Sequence, residues 1–245
     1  MNETWIIVGA TSSMARAFAR KVAGQGAHVL LAGRDMADME RMAADCTLRG
    51  AASAAVLAFD SRKPEDFDDI AVKAGECPGV LNVAVFVASM PEQADIDLDP
   101  ALIDGTVTDG FTGPARLLHR LAPLMEERGA GAVVGVGSVA GDRGRLANYV
   151  YGAAKAGFHT YLAGLRNRMG RSGVHVVTVK PGFVDTAMTW GLPGLFLVAA
   201  PEAVADDILR AVEKKRNIIY TPWFWRYIML IIMHVPEFIF KKLKI

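Results

Sequence analysis

Trp5-Ile6-Ile7-Val8-Gly9-Ala10-Thr11-Ser12-Ser13-Met14-Ala15 joins a strand, a turn and the start of a helix without a spacer. Trp5–Val8 is apolar at every position, as suits a strand covered on both faces. Gly9 lets the chain leave that strand sharply. Ser13 and Ala15 are small, so backbone and helix can approach a ligand closely. The turn residues Gly9, Thr11, Ser12, Ser13 and Met14 would then present amides at the positive end of a helix dipole, where a pyrophosphate is favoured. The same residues also fit a plain strand-to-helix turn capped by Ser12 or Ser13.

The alternation begun there continues along the chain. Apolar runs at His28–Ala32, Ala54–Ala58, Val83–Val87, Ala132–Val136, Val174–Val179 and Ile218–Tyr220 follow the first strand. Amphipathic stretches fill the gaps at Ser13–Ala23, Met36–Arg49, Pro64–Ala74, Ile103–Arg128, Tyr149–Arg171 and Pro201–Lys215. This order predicts an α/β fold: a doubly wound parallel sheet of about seven strands with right-handed crossovers and helices on both faces. There is no internal repeat or low-complexity linker, so one domain is expected over residues 1–221, followed by a tail over 222–245.

The chain has 245 residues, 52% hydrophobic, with a net charge of +1, enough to bury a large core. The near-neutral balance argues against a general nucleic-acid binder. Its charge is unevenly placed: Lys214–Ile245 holds seven basic residues against Glu237 alone, which leaves the body acidic. Mean hydropathy is positive at +0.25. Cys46 and Cys77 are the only cysteines, so no disulfide framework or zinc-type pair is expected, and a reducing, cytoplasmic setting follows. The first residues lack the charged region and long apolar stretch of a signal peptide.

Strand two ends in Leu31-Ala32-Gly33-Arg34-Asp35, the edge that lies beside the adenosine ribose in a dinucleotide fold. A guanidinium there suits a 2′-phosphate through paired hydrogen bonds, so Arg34 favours NADP(H), while Asp35 keeps NAD(H) open. Asp60, just past strand three, is placed either to bond the adenine amine or to cap the next segment.

The strongest constellation is Ser138, Tyr151 and Lys155. Tyr151 and Lys155 stand four apart and share a helix face; Ser138 follows a strand thirteen residues before Tyr151. A tyrosine hydroxyl titrates near ~10 and is a poor acid or base at neutrality. A neighbouring ammonium, helped by an oxidised nicotinamide, is expected to lower that value. Ser138 would then hold a carbonyl oxygen beside Tyr151 while Tyr151 protonates it. After strand six, Lys180-Pro181-Gly182-Phe183-Val184-Asp185-Thr186 turns where a nicotinamide would lie, with Val184 and Thr186 placed for its carboxamide.

Together these residues resemble the short-chain dehydrogenase/reductase family from Thr4 to Tyr220. The resemblance implies a Rossmann sheet, a nicotinamide cofactor, and a second role for Lys155 in holding the nicotinamide ribose. Three departures stand out. The Gly-x3-Gly-x-Gly turn reads Gly9-x3-Ser13-x-Ala15, and the usual Asn-Asn-Ala-Gly after strand four reads Phe86-Val87-Ala88-Ser89, which leaves Ala88 at the cofactor floor. The helix asparagine that often completes a proton-relay tetrad falls at Gly110, so a triad is expected instead.

Within the family the chain is similar to reductases of the decaprenylphosphoryl-2-keto-pentose group. Gly9-Ala10-Thr11-Ser12, Val139-Ala140-Gly141-Asp142, Tyr149-Val150-Tyr151-Gly152 and Tyr220-Thr221-Pro222 carry that likeness, together with the tail through Leu243. It implies a 2-keto sugar on a polyprenyl phosphate, reduced at the inner face of the cytoplasmic membrane. Trp223, Phe224, Trp225 and Tyr227 cluster next to Arg226, as aromatics do at a bilayer interface. Tyr227–Met233 is far too short to span a bilayer, so an interfacial helix with Lys241, Lys242 and Lys244 near anionic headgroups is expected. Packing of the tail on a second copy in a homo-oligomer is the alternative. Thr186–Ala200, rich in glycine and leucine, is expected to form an apolar substrate loop.

The expected activity is therefore reduction of an amphiphilic or lipid-linked ketone by NADP(H). A soluble short-chain dehydrogenase for a steroid, acyl or small-alcohol substrate is the enzymatic alternative. A non-catalytic dinucleotide sensor is a third reading, disfavoured because a sensor has no need of Ser138, Tyr151 and Lys155.

Overall fold

The computed structural model describes residues 2–187, 190 and 196–243. Seven strands, β1 (Glu3–Val8), β2 (His28–Gly33), β3 (Ser53–Ala58), β4 (Val80–Val85), β5 (Gly131–Val136), β6 (Val174–Pro181) and β7 (Ile218–Thr221), form one parallel sheet. Their order is β3-β2-β1-β4-β5-β6-β7, which reverses between β1 and β4. A crevice at that reversal, outside the carboxyl ends of the strands, is where this class of sheet binds ligands.

Side chains alternate across each strand, and the two faces bury separate cores. Trp5 and Ile7 of β1 join Phe18, Met39, Val204 and Ile208 from α1 (Ser13–Gly24), α2 (Met36–Leu48) and a later helix, Pro201–Glu213. Ile6 and Val8 point the other way, into Phe67, Ile70, Leu117, Phe158 and Leu162. Those come from α3 (Asp66–Glu76) and from the helices Gly113–Arg128 and Tyr149–Met169. At about 1.5–3 kcal/mol for each large side chain removed from water, both faces contribute, and neither could be left uncovered.

Two expectations are corrected. The helix expected over Ile103–Arg128 is interrupted: α4 (Gln93–Leu98) precedes α5 (Leu102–Val107), and a π-helical turn at Thr108–Thr112 separates α5 from α6 (Gly113–Arg128). Pro114 has no amide to give the Gly110 carbonyl, so the α-helical ladder cannot run through this point. Strand β4 starts at Val80 and ends at Val85, rather than running from Val83 to Val87, because it pairs residue for residue with Glu3–Val8 of β1.

The remaining helices are α7 (Tyr149–Met169), α8 (Pro201–Glu213), α9 (Trp225–His234) and α10 (Glu237–Phe240). The tail is partly folded onto the body. Trp225 and Met229 of α9 are fully buried against Val139, in a small third core that also touches Phe183, Tyr220 and Ile228. No helix among the described residues is long and apolar enough to cross a membrane.

Candidate active site

Every expected site residue lies at or just beyond the carboxyl end of a strand, or on α7 beside those ends. A cavity of about 640 Å³ opens at the β1–β4 reversal, within the range of small-molecule and cofactor sites. It brings together Gly9, Thr11, Ser12, Arg34, Asp60 and Ala88. Gly9 sits at φ 75°, and a Cβ there would lie 3.0 Å from the backbone of Phe86 and Val87. Only glycine lets the strand-to-helix turn pass so close to β4, and this keeps the cavity floor open.

Ser12 caps α1, its hydroxyl accepting from the Ala15 amide at 3.2 Å. Ser13 and Met14 are not among the cavity's lining residues, and Met14 packs toward the core below. Asp35 is occupied in capping α2, accepting from the Asp38 amide at 3.0 Å. Arg34 makes no hydrogen bond or ion pair among the described residues and lies exposed at the rim. Asp60 lines the cavity and also accepts from the Arg62 amide at 3.0 Å, so both roles open to it from the sequence are compatible.

The sequence reading did not find Ser61 and Asp109, which line the same cavity. Buried Asp109 accepts from the Ser61 hydroxyl at 2.9 Å and from Arg62 at 2.7 and 3.0 Å. Burial pushes its carboxyl upward, but these hydrogen bonds outweigh burial and hold it below the usual value. Asp109 belongs to the π-helical turn, a feature no spacing rule announces.

Tyr151 and Lys155 are both buried on α7. Lys155 Nζ lies 5.9 Å from the Tyr151 ring centre and donates to the Val136 carbonyl at 3.0 Å and the Val87 carbonyl at 3.4 Å. Val87 lines the cavity, so Lys155 is bonded to its wall, while Ser138, Tyr151 and Lys155 are not themselves among the lining residues. Burial pulls Lys155 down to about 8. The lowering expected at Tyr151 is not seen. Burial pushes its phenol up to about 12, opposed by a hydrogen bond from Ser138 and by the charge of Arg145. An apolar setting disfavours phenolate more than these neighbours favour it.

Other elements fix this face of α7. Gln93 of α4 accepts the Val150 amide at 3.2 Å, and the Tyr149 hydroxyl donates to Asp97. Gly110 explains the missing asparagine: a Cβ there would meet that of Ala154 at 2.9 Å, so the π-helical turn packs on α7 with no room for a side chain.

Behind Ser138 lies a buried polar group that the sequence reading left without a role. The Ser138 amide donates to His159 Nε2 at 3.3 Å, and His159 Nδ1 faces Asp142 across 3.7 Å. Burial first, then the charges of Lys180 and Lys155, push His159 down to about 3, so it stays neutral. Asp142 takes Lys180 at 2.5 Å and the Tyr220 hydroxyl at 2.8 Å. The spacing Tyr151, Lys155, His159 along one helix face was the available signal.

Pro181 ends β6 beside Thr221, and the Gly182 amide donates to the Thr221 carbonyl at 3.1 Å. Val184 is buried and bridges to Ala199, which closes the ends of the intervening segment; Thr186 lies near its start. Of the expected substrate loop, residues 188–189 and 191–195 lie outside the described residues, as does Lys244 of the tail. The tail is tied to the loop after Ser138 by Arg143. It donates to the carbonyls of Ile232 at 2.6 Å and Val235 at 2.7 Å, pairs with Glu237 at 2.9 Å, and stacks 3.6 Å over the Phe240 ring. Trp225 packs 5.4 Å from Phe183 and 5.6 Å from Phe196.

Comparison with known proteins agrees with this geometry. Residues 3–193 match the sequence profile of the family described as short chain dehydrogenase. An uncharacterised oxidoreductase of Mycobacterium tuberculosis is 30% identical over 97% of this chain and 96% of its own length. A short-chain dehydrogenase from Sphingobium yanoikuyae, solved with NADPH, superposes with a TM-score of 0.79 at 22% identity, covering 97% of both chains. A variant of actinorhodin polyketide ketoreductase, also solved with NADPH, gives 0.80 at 19% identity over 89% of this chain and 95% of that one. At those identities the two structures speak for the fold.

Proposed function

Since the chain belongs to the short-chain dehydrogenase/reductase family of NAD(P)-dependent oxidoreductases, we propose that it is an NADPH-preferring ketoreductase for an amphiphilic or lipid-linked ketone. A 2-keto sugar carried on a polyprenyl phosphate is the leading candidate. The single observation behind the activity is the convergence of half-buried Ser138 with buried Tyr151 and Lys155 near a cavity of about 640 Å³. Gly9, Thr11, Ser12, Ser13 and Met14 would hold the pyrophosphate side, and Arg34 the adenosine 2′-phosphate. Asp60 and Ala88 would flank the adenine and the floor, while Pro181, Gly182, Val184 and Thr186 would hold the carboxamide side. The reduced nicotinamide, when bound, supplies the hydride.

The chain's own residues do the rest. Ser138 donates to the carbonyl oxygen and orients it toward Tyr151. Tyr151, a neutral acid held protonated by burial, gives its hydroxyl proton to that oxygen as negative charge develops there. Lys155, fixed by two backbone carbonyls, places a positive charge near the resulting tyrosinate and holds the nicotinamide ribose.

The amphiphile is supported by the outer face of the tail. Trp223, Tyr227, Leu230, Ile231, Phe238 and Ile239 are exposed, with Lys241 and Lys242 beside them. Trp223 at the edge of this face touches Phe224, which meets buried Trp225 and through it Phe183 and Phe196. We read this face as a peripheral contact with the inner face of the cytoplasmic membrane, made by a 222–245 appendage on a 1–221 catalytic domain. A homo-oligomer is supported by an apolar groove at Phe111, Tyr161 and Leu165 along α7. A second reading, an acyl ketone as substrate, is favoured by the likeness to a solved putative betaketoacyl-ACP reductase, 27% identical with a TM-score of 0.76 over 89% of this chain and 95% of that one.

The test is NADPH oxidation with a polyprenyl-phosphoryl 2-keto-pentose against a β-ketoacyl thioester. Tyr151→Phe is expected to lower kcat by on the order of 10²–10⁴-fold while NADPH still binds. Turnover undiminished in Tyr151→Phe overturns the mechanism, and preference for the thioester overturns the lipid-linked substrate.

A further inference from the structure

Tyr151, Lys155 and His159 recur every four residues along α7, so their side chains leave one face of the helix. The first two have parts in the proposed reduction. The third is an imidazole with 10% of its side chain exposed and no part in it. It meets the chain where β5 ends. Lys155 Nζ donates to the Val136 carbonyl at 3.0 Å, and His159 Nε2 accepts from the Ser138 amide at 3.3 Å. The pairing of β5 with β6 runs out at this point. The Gly137 amide still reaches the Val179 carbonyl at 2.8 Å, and the Ser138 amide, one residue further, finds His159 in place of a strand. Two successive turns of α7 thus grip the backbone on either side of Gly137.

The imidazole has no slack there. A Cβ at Gly137 would lie 2.1 Å from His159 Nε2, and one at Gly141 would lie 2.7 Å from Cε1. The ring is therefore wedged against both ends of the turn that carries Ser138. Within that turn the Ser138 hydroxyl accepts from the Ala140 amide at 3.1 Å and bonds to Tyr151. A neutral ring that accepts at Nε2 carries its proton on Nδ1. Nδ1 faces Asp142 across 3.7 Å, and Asp142 is itself fixed by Lys180 at 2.5 Å and the Tyr220 hydroxyl at 2.8 Å. A carboxylate on that side favours an N–H there over a lone pair. Burial keeps the ring neutral, so a proton does not take the acceptor away.

We propose that His159 is a positioning residue for the reduction: through the Ser138 amide it sets the Ser138 hydroxyl against Tyr151, and Asp142 holds the imidazole in the tautomer that can accept. This rests on the ketoreductase reading and adds to it the brace behind its serine. One face of α7 then carries the proton donor, the charge beside it and the group that holds Ser138. Ser138 sits on a separate turn, and misplacing such a group by about 1 Å costs on the order of 100-fold in rate.

The test is a double-mutant cycle between His159 and Ser138, read by NADPH oxidation with whichever of the polyprenyl-phosphoryl 2-keto-pentose and the β-ketoacyl thioester the protein reduces. His159→Leu should lower kcat about 10–100-fold with little change in the KM for NADPH. His159→Gln, whose amide offers an oxygen to Ser138 and an NH₂ to Asp142, should recover most of that loss. Added to Ser138→Ala, His159→Leu should cost less than about twofold more. An equal loss in both backgrounds, or a glutamine variant as slow as the leucine one, overturns the positioning role. Nitrogen-15 NMR of the wild-type imidazole needs no turnover and should find the proton on Nδ1 and Nε2 bare. The Ser138 amide should exchange with solvent faster in His159→Leu than in wild type, with circular dichroism as the check of folding. A proton on Nε2, or unchanged exchange, also overturns the proposal. If neither ketone is reduced while ring and amide behave as expected, the brace on Ser138 stands and the ketoreductase reading falls.

Discussion

Arg34 and Asp35 stand side by side at the end of β2, and the fold uses them differently. Both line the cavity, but Asp35 also caps α2, whereas Arg34 has no hydrogen bond or ion pair among the described residues. The capping bond takes one carboxylate oxygen, while Asp35 itself also lines the cavity. The guanidinium keeps all its donors for a 2′-phosphate. Charge-assisted bonds of this kind contribute roughly 1.5–3 kcal/mol, so Arg34→Ala should weaken NADPH binding about 10–100-fold. NADH binding should change little, with fluorescence titration as the readout. Equal losses for both dinucleotides would remove the argument for NADPH.

Helix α9 is the element with two opposed duties. One side buries Trp225 and Met229 against the loop that follows Ser138, and Arg143 holds the far end by three tail carbonyls and Glu237. The other side leaves Ile231 70% and Tyr227 59% exposed, with Phe238 of α10 at 66%. Single exposed apolar residues are ordinary, but a row of them with lysines at its end is what an interfacial helix presents to anionic lipid. Ile231→Glu together with Phe238→Glu should abolish cosedimentation with phosphatidylglycerol vesicles. The melting temperature should stay within a few degrees, because exposed substitutions usually shift stability by no more than ~0.5 kcal/mol each. Vesicle binding that survives both charges would refute the membrane contact. Helix α4 was not expected at all: six residues with two aspartates and a glutamine show no periodic stripe, yet Gln93 fixes the start of α7.

Across the whole molecule, the site weakens the fold that holds it. Lys155 is fully buried with only carbonyl oxygens for partners, and burial brings it down to about 8. Below that pH both folded and unfolded chains keep the proton, and the folded state carries the burial cost in full. Between about 8 and the ordinary lysine value near 10.4 only the unfolded chain keeps it, so the contribution of Lys155 to stability rises with pH. The cost is up to about 3 kcal/mol. Lys155→Met should therefore melt higher than wild type at pH 7, lack reductase activity, and lose part of that advantage at pH 9.5. A melting-temperature gap that grows with pH would contradict this account.

Much of this was legible in the chain because the signals are local. An unbroken apolar run followed by glycine and small residues specifies strand, turn and helix over a dozen positions, and repetition of that unit leaves the parallel sheet as its consistent cover. The four-residue spacing of Tyr151 and Lys155 likewise needs only helical geometry to share a face. What sequence could not supply were relations between distant residues. The break at Thr108–Thr112 follows from Pro114 and from close packing on Ala154. His159 gained its place from Ser138 and Asp142. Sequence alone determined the alternation of elements and the residue types offered to the site. Only the tertiary structure decided which charges found partners and which were left for a ligand, because pairing depends on distances set by the packing of many elements at once.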